Sequence, residues 1–589
     1  MTDNRHSRLQ RARPVLAVAA VAFAVGAIAG ARSGPPATYA VADRFVQAWT
    51  EGDYATMHSD IDEASRRALS PGRFAALYQE ALTTATAARA QVTGPARGVE
   101  GGLVTVPVRV DTRLFGELPL DFTMKVAEAA GQGLRVQWSP SLAFPGLRPG
   151  EALTRRTALP ERAPLLARDG SVLAEAVPGT PAEAPTGEAS RGSPLGEAAS
   201  SVVGTVGAPP AGRRHALEAQ GISANSIVGL SGLELAYDAR LRGTPGGLLM
   251  AGERVLASVA PRATPPLRTT ISPALQRAAV AALGGQYGGV VAMQPSTGQI
   301  LAVAGIGLDG LQPPGSTFKM ITVTGVLQAG IANPSTVFPY ATYAVLDGVE
   351  LHNANGEECG GTLENAFAVS CNSVFTPLGV KLGSTRLVET AERFGFNHDT
   401  GIPGAATSTL PPASQIQGEL DVGSTAIGQG EVLATPLEMV TVASTIADEG
   451  QRPRPTFLLD ERPTIAAQAT SAAVARTVRH LMIGVVRSGT GTAAAIPGVV
   501  VAGKTGTAEL RSPCTSSSSS SAEAGGEAAK EGCGAESEAS NTDAWFAAFA
   551  PALKPQIAVG VLLVKDGAGG QTAAPVARQV LEAGLQAGL

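Results

Sequence analysis

Three short strings recur in a fixed order: Ser316-Thr317-Phe318-Lys319, then Ser370-Cys371-Asn372, then Lys504-Thr505-Gly506-Thr507. Their residue types supply the parts of serine acyl transfer without histidine: a hydroxyl nucleophile, a lysine, a second hydroxyl and a cationic strand. Ser316 follows Pro313-Pro314-Gly315 and precedes an apolar segment, so it should open a helix. A lone serine there reads as a cap. Lys319 changes that reading, because residues three apart share a helical face. Once buried, its amine favours the neutral form that can take the Ser316 proton, and the helix start offers a free N–H to a developing oxyanion.

The other strings are weak singly. Ser370-Cys371-Asn372 follows Leu363–Val369 in a helical or turn segment. Residues 499–509 read as an edge strand, where Lys504 can attract a carboxylate, Thr505 can hydrogen-bond it, and Gly506 leaves room for a ligand backbone. Arginine cannot replace lysine as a base because it keeps its charge, and only seven lysines occur, two of them in these strings. Cys371 lacks a histidine to activate it. The histidines His6, His58, His215, His352, His398 and His480 have neither metal-ligand nor nucleophile-elbow spacing. No metal or cofactor is expected, and His352 is the one histidine to watch.

At 589 residues, 44% hydrophobic and 16% charged, the chain should fold as about three or four domains. A net charge of −5 and the lack of a basic stripe argue against nucleic acid. Arg5, Arg8, Arg11 and Arg13 precede an apolar run over 15–31. That run would span roughly 25 Å, near the lower limit for a membrane helix, with residues 1–14 cytoplasmic and the rest outside. Ala27-Ile28-Ala29 leaves a cleaved signal peptide as the rival reading. Export permits disulfides; Cys359 with Cys371 and Cys514 with Cys533 are the close pairs, against free buried thiols.

Residues 36–150 read as an α+β unit. Tyr39, Val41, Ala42, Phe45, Val46 and Trp49 recur at helical spacing, a second helix covers Arg73–Ala87, and alternating strands cover Leu103–Val110, Leu118–Val126 and Leu134–Trp138. Residues 151–265 read as a mostly β pedestal with a Pro/Gly/Ala/Ser-rich excursion at 177–201. From 266 onward, Gly289–Met293 and Gln299–Val303 form a hairpin before the serine-lysine helix. A polar, serine-rich insertion fills 510–541, between Glu509 and the strand beginning near Asp543.

In this order the three strings resemble the signature of penicillin-binding proteins and serine β-lactamases. Ala426-Ile427-Gly428-Gln429-Gly430-Glu431 and Asp543-Ala544-Trp545-Phe546 match the surrounding family pattern. Residues 138–147 resemble the exit of the N-terminal domain, and 162–174 and 229–243 the pedestal, in class B penicillin-binding proteins whose N-terminal domain is like nuclear transport factor 2 (the MecA N-terminal type). The resemblance implies a multidomain α+β chain: membrane anchor, nuclear transport factor 2-like cone acting as spacer, pedestal, and a transpeptidase domain with an antiparallel sheet flanked by helices. It also implies a monofunctional peptidoglycan D,D-transpeptidase, inhibited covalently by β-lactams, with peptidoglycan stem peptides as substrates and a glycosyltransferase of the divisome or elongasome as partner. Ser370 would relay a proton, Asn372 would hold the substrate amide and the Lys319 amine, and the Ser316 and Thr507 N–H groups would form the oxyanion hole. A D,D-carboxypeptidase is the alternative. A β-lactamase or β-lactam sensor fits the long upstream region less well.

Overall fold

The structure is a computed structural model describing residues 36–129, 131–176, 191–509 and 541–588. The expected anchor at 15–31 and the cysteines Cys514 and Cys533 lie outside the described residues. Among the described residues, no helix is long and apolar enough to cross a membrane. The chain divides into two compact units. The first comprises residues up to 161 with 209–226 and 243–263; the second comprises 162–208, 227–242 and 264–589.

In the first unit, helices Ala37–Glu51, Tyr54–Asp60, Glu63–Ala68 and Pro71–Thr84 accompany a five-stranded antiparallel sheet. Period-2 alternation builds the sheet: along Gly116–Ala129, Leu118, Phe122, Met124 and Val126 point inward. Phe45, Trp49, Phe74, Tyr78 and Phe122 are fully or almost fully buried between helices and sheet, so aromatic packing occupies the interior. Strands Leu153–Ala158, Gly246–Ala251 and Arg254–Val259 form a second sheet in this unit.

The expected pedestal at 151–265 is therefore divided between the units. The end of the expected excursion at 177–201 is built into the second unit. Residues 177–190 lie outside the described residues, but Arg191 is buried and donates to the Ala163 and Ala174 carbonyls. Glu197–Val203 is a helix that buries Ala199, Val202 and Val203. The small side chains that looked like solvated linker instead permit close docking: Ser201 Oγ donates to the Val303 carbonyl at 3.0 Å, and Gln276 Nε2 to the Ala198 carbonyl at 2.8 Å.

Around the second unit's five-stranded antiparallel sheet we label β1 (Gly288–Gln294), β2 (Gln299–Gly305), β3 (Ala502–Glu509), β4 (Thr542–Ala550) and β5 (Ile557–Leu563), in the order β2-β1-β5-β4-β3. One face carries α1 (Pro273–Leu283) and the C-terminal helix Ala573–Gln586. Ser272 caps α1 by accepting from the Leu275 N–H, with Pro273 in its first turn and Gly284 at its left-handed end. The remaining helices include α2 (Lys319–Gln328), α3 (Leu363–Ala368), α4 (Asn372–Leu382) and α5 (Pro436–Ala447). Every residue of α5 is buried, as expected of a helix that is apolar on nearly all sides.

Candidate active site

The three sequence strings come from three elements. Gly315–Phe318 is a 3₁₀ turn, and α2 starts only at Lys319. Ser316 thus sits on the tight turn before the helix rather than in its first α-helical turn. Gly315 has φ of +52° and occupies a place where a side chain would press on the Thr507 carbonyl, 2.7 Å from an added Cβ. Its N–H donates to the Gly428 carbonyl at 3.0 Å, which explains the glycines on both sides of the serine turn.

As expected, Lys504, Thr505, Gly506 and Thr507 lie on an edge strand, β3. Gly506 also meets a packing requirement inside the protein. An added Cβ there would lie 2.7 Å from the Pro314 carbonyl and 3.0 Å from the Thr317 methyl. The glycine therefore lets the edge strand press against the serine turn. Thr505 Oγ1 hydrogen-bonds Thr490 Oγ1 at 2.6 Å, and Thr507 Oγ1 accepts from the Gly569 N–H at 3.3 Å.

Ser370 joins α3 to α4 with φ of +63°, a left-handed conformation unusual for a residue with a side chain. That conformation accompanies two contacts to Lys319. The Lys319 Nζ donates to the Ser370 carbonyl at 2.6 Å and to Asn372 Oδ1 at 2.6 Å, with Ser370 Oγ at 3.4 Å. Lys504 Nζ reaches the same Ser370 Oγ at 2.8 Å and the Thr505 carbonyl at 3.1 Å. Ser370 therefore stands between the two amines.

Both lysines are fully buried. Burial, then the nearby Lys504 charge, holds the Lys319 amine well below its ordinary range; burial alone brings Lys504 down to about 7. Their immediate partners are hydroxyl, carbonyl and amide groups. The rings of Phe375 and Phe367 lie 5.5 Å from Lys319 Nζ and Lys504 Nζ respectively, an arrangement that eases burial of a cation. A neutral amine has two N–H groups and one lone pair. If the donors serve Ser370 O and Asn372 Oδ1, the lone pair remains to accept a hydroxyl proton.

Cys359 and Cys371 form a disulfide with Cα atoms 5.8 Å apart, so Cys371 is committed away from thiol chemistry. The His352 ring pairs with Glu350 at 3.2 Å, while its backbone carbonyl accepts from Asn372 Nδ2 at 2.9 Å. Histidine matters here only through its main chain. Asn353 was missed by sequence reasoning: its amide donates to the Ala341 and Glu357 carbonyls and accepts the Ser373 N–H, pinning the start of α4. Thr490 and Gly569 were missed as well, because no local pattern distinguishes them from loop residues.

A profile described as the penicillin binding protein transpeptidase domain matches residues 288–582. The chain belongs to the penicillin-binding protein transpeptidase family. Profiles for the NTF2-like N-terminal transpeptidase domain and the penicillin-binding protein dimerisation domain match residues 37–151 and 173–251, giving the multidomain α+β plan expected. The peptidoglycan D,D-transpeptidase PbpA of Mycolicibacterium smegmatis is 33% identical over 428 residues, covering 61% of this penicillin-binding protein and 80% of the relative. Its namesake in Mycobacterium tuberculosis is 32% identical over 54% of this chain and 72% of the relative. Among solved structures, the penicillin G acyl-enzyme complex of penicillin-binding protein A from M. tuberculosis has a TM-score of 0.54 and 28% identity, covering 72% of this chain and 100% of that one. Pseudomonas aeruginosa PBP2 in complex with WCK 5153 gives 0.58 and 26%, over 73% and 96%.

Proposed function

We propose that this chain is a monofunctional peptidoglycan D,D-transpeptidase with Ser316 as nucleophile. The observation that carries this reading is the desolvated Lys319 amine, three residues from Ser316 and bonded to Ser370 and Asn372. Ser316 Oγ attacks the carbonyl of the D-Ala-D-Ala bond in a donor stem peptide as its proton passes to Lys319. The oxyanion forms between the Ser316 and Thr507 N–H groups, where each such donor is worth roughly 3 kcal/mol. Ser370, between Lys319 and Lys504, gives its proton to the departing D-Ala amine as the carbon–nitrogen bond breaks and takes the Ser316 proton from Lys319 in return. Lys504 and Thr505 hold the donor's terminal carboxylate, and Asn372 holds its amide. An acceptor amine from a second stem then attacks the acyl-enzyme, forming the cross-link and regenerating the serine.

A β-lactam mimics the donor and leaves Ser316 acylated. Residues 15–31 would hold the enzyme in the membrane with its catalytic unit outside, beside a glycan polymerase. Intact-mass measurement after benzylpenicillin tests the nucleophile: one added penicilloyl group is expected on the wild type and none on Ser316→Ala. Equal labelling of both would overturn the assignment. With donor and acceptor stem peptides, cross-linked dimers are expected; trimmed monomers alone would make the enzyme a carboxypeptidase.

A further inference from the structure

Within the second unit, a cavity of about 410 Å³ opens beside α5, lined in part by Glu438, Thr441, Arg452, Arg454, His398 and Asp399. Glu438 is 3% exposed, yet its Oε1 has no hydrogen-bond partner. The Nε of Arg452 is likewise buried and without a partner. Both side chains close over Gly395, where an added Cβ would collide with Glu438 Oε1 and Arg452 Nη1. Burial raises the Glu438 carboxyl to about 7 even though Arg452 pulls it down. The protein thus places an unmet acceptor and an unmet guanidinium donor in one cavity, at a cost normally avoided.

We propose that this cavity binds a small zwitterion, an α-amino acid or a dipeptide, with its ammonium on Glu438 and its carboxylate on Arg452. A ligand carrying only a carboxylate would leave Glu438 unmet and facing like charge. One carrying only an ammonium would meet Arg452 and Arg454 unscreened. A zwitterion satisfies both atoms at once, and the exposed Arg454 and His398 stand beside its route of entry.

Equilibrium dialysis of radiolabelled D-alanine against the full chain, with Ser316 blocked by benzylpenicillin and without, tests the site. Saturable one-site binding is expected in both states. It should weaken at least tenfold in Glu438→Gln and in Arg452→Met, and about threefold in Arg454→Gln, whose exposed position spares the fold. Acetate and methylamine should each compete at least tenfold less well than D-alanine. Absence of saturable binding, unchanged affinity in all three variants, or equal competition by acetate would overturn the proposal. Binding is read whether or not Ser316 acylates, so its failure is distinct from failure of the proposed transpeptidase reaction.

Discussion

In the larger unit the chain buries Arg162, Glu234, Asp238 and Arg242 as alternating charges, and Lys319 with Lys504 as a pair of like charge. In the first set, Arg162 Nε meets Glu234 Oε2 at 2.6 Å, Arg162 Nη1 meets Asp238 Oδ1 at 2.8 Å, and Arg242 Nη1 meets Asp238 Oδ2 at 2.6 Å. Every charge has an opposite neighbour within hydrogen-bonding distance, the geometry of strong, charge-assisted pairs. In the second set, hydroxyl, amide and carbonyl groups replace carboxylates. The cost of burial then falls on the ammonium forms, and the amines lose protons more readily. Opposite neighbours make a buried charge structural; their absence makes it a base.

Replacing Lys319 by arginine should break this contrast most severely. Arginine keeps the positive charge but cannot become neutral, so acylation by a chromogenic β-lactam should fall about a thousandfold, with the melting transition still present. Retained acylation would show that Lys319 acts only through charge. Glu234→Gln attacks the other set, leaving the guanidinium groups of Arg162 and Arg191, which both pair with Glu234, facing a neutral amide. Denaturant unfolding should show a loss of about 3–5 kcal/mol, while the folded fraction still acylates normally.

A pH series sharpens the difference. Lys504 in the free enzyme is held near 7, so kcat/KM for a carboxylate-bearing donor should decline above about 7 as the ammonium is lost. The limiting slope is about tenfold per pH unit. On the acid side the rate should fall as Lys319 gains its proton. An ester donor lacking the terminal carboxylate should lose much of the alkaline limb while keeping the acid one. The smallest effect belongs to Thr490→Val, which removes the 2.6 Å hydroxyl contact to Thr505. Steady-state kinetics should show kcat/KM lowered about five- to tenfold, equivalent to about 1–1.5 kcal/mol.

The chemistry-bearing residues were legible in the sequence because each needs a particular side chain: a serine, a lysine that can deprotonate, an edge-strand cation. The long strands and helices of the N-terminal unit were legible from periodicity, as the inward row Leu118, Phe122, Met124 and Val126 illustrates. Contacts made by main chain were not. The Ser370 and His352 carbonyls that hold Lys319 and Asn372 could belong to any residue type, and the positive φ of Ser370 leaves no mark in composition. Nor could local reading find Thr490, whose partner is set by tertiary packing. The helix at 197–203 was hidden for a related reason, since alanine and serine serve solvated linkers and tight docking alike.

The pairing of β3 with β4 continues without a break from Ala502 opposite Phe549 to Glu509 opposite Thr542. The ladder itself holds the two ends of the intervening segment one strand spacing apart, about 5 Å. Between ends so fixed, each doubling of a connecting length adds only about 0.6 kcal/mol of closure entropy in general. The hairpin carrying Lys504 is in effect a clasp already fastened, and a change of length between its two strands should cost the strand beneath little.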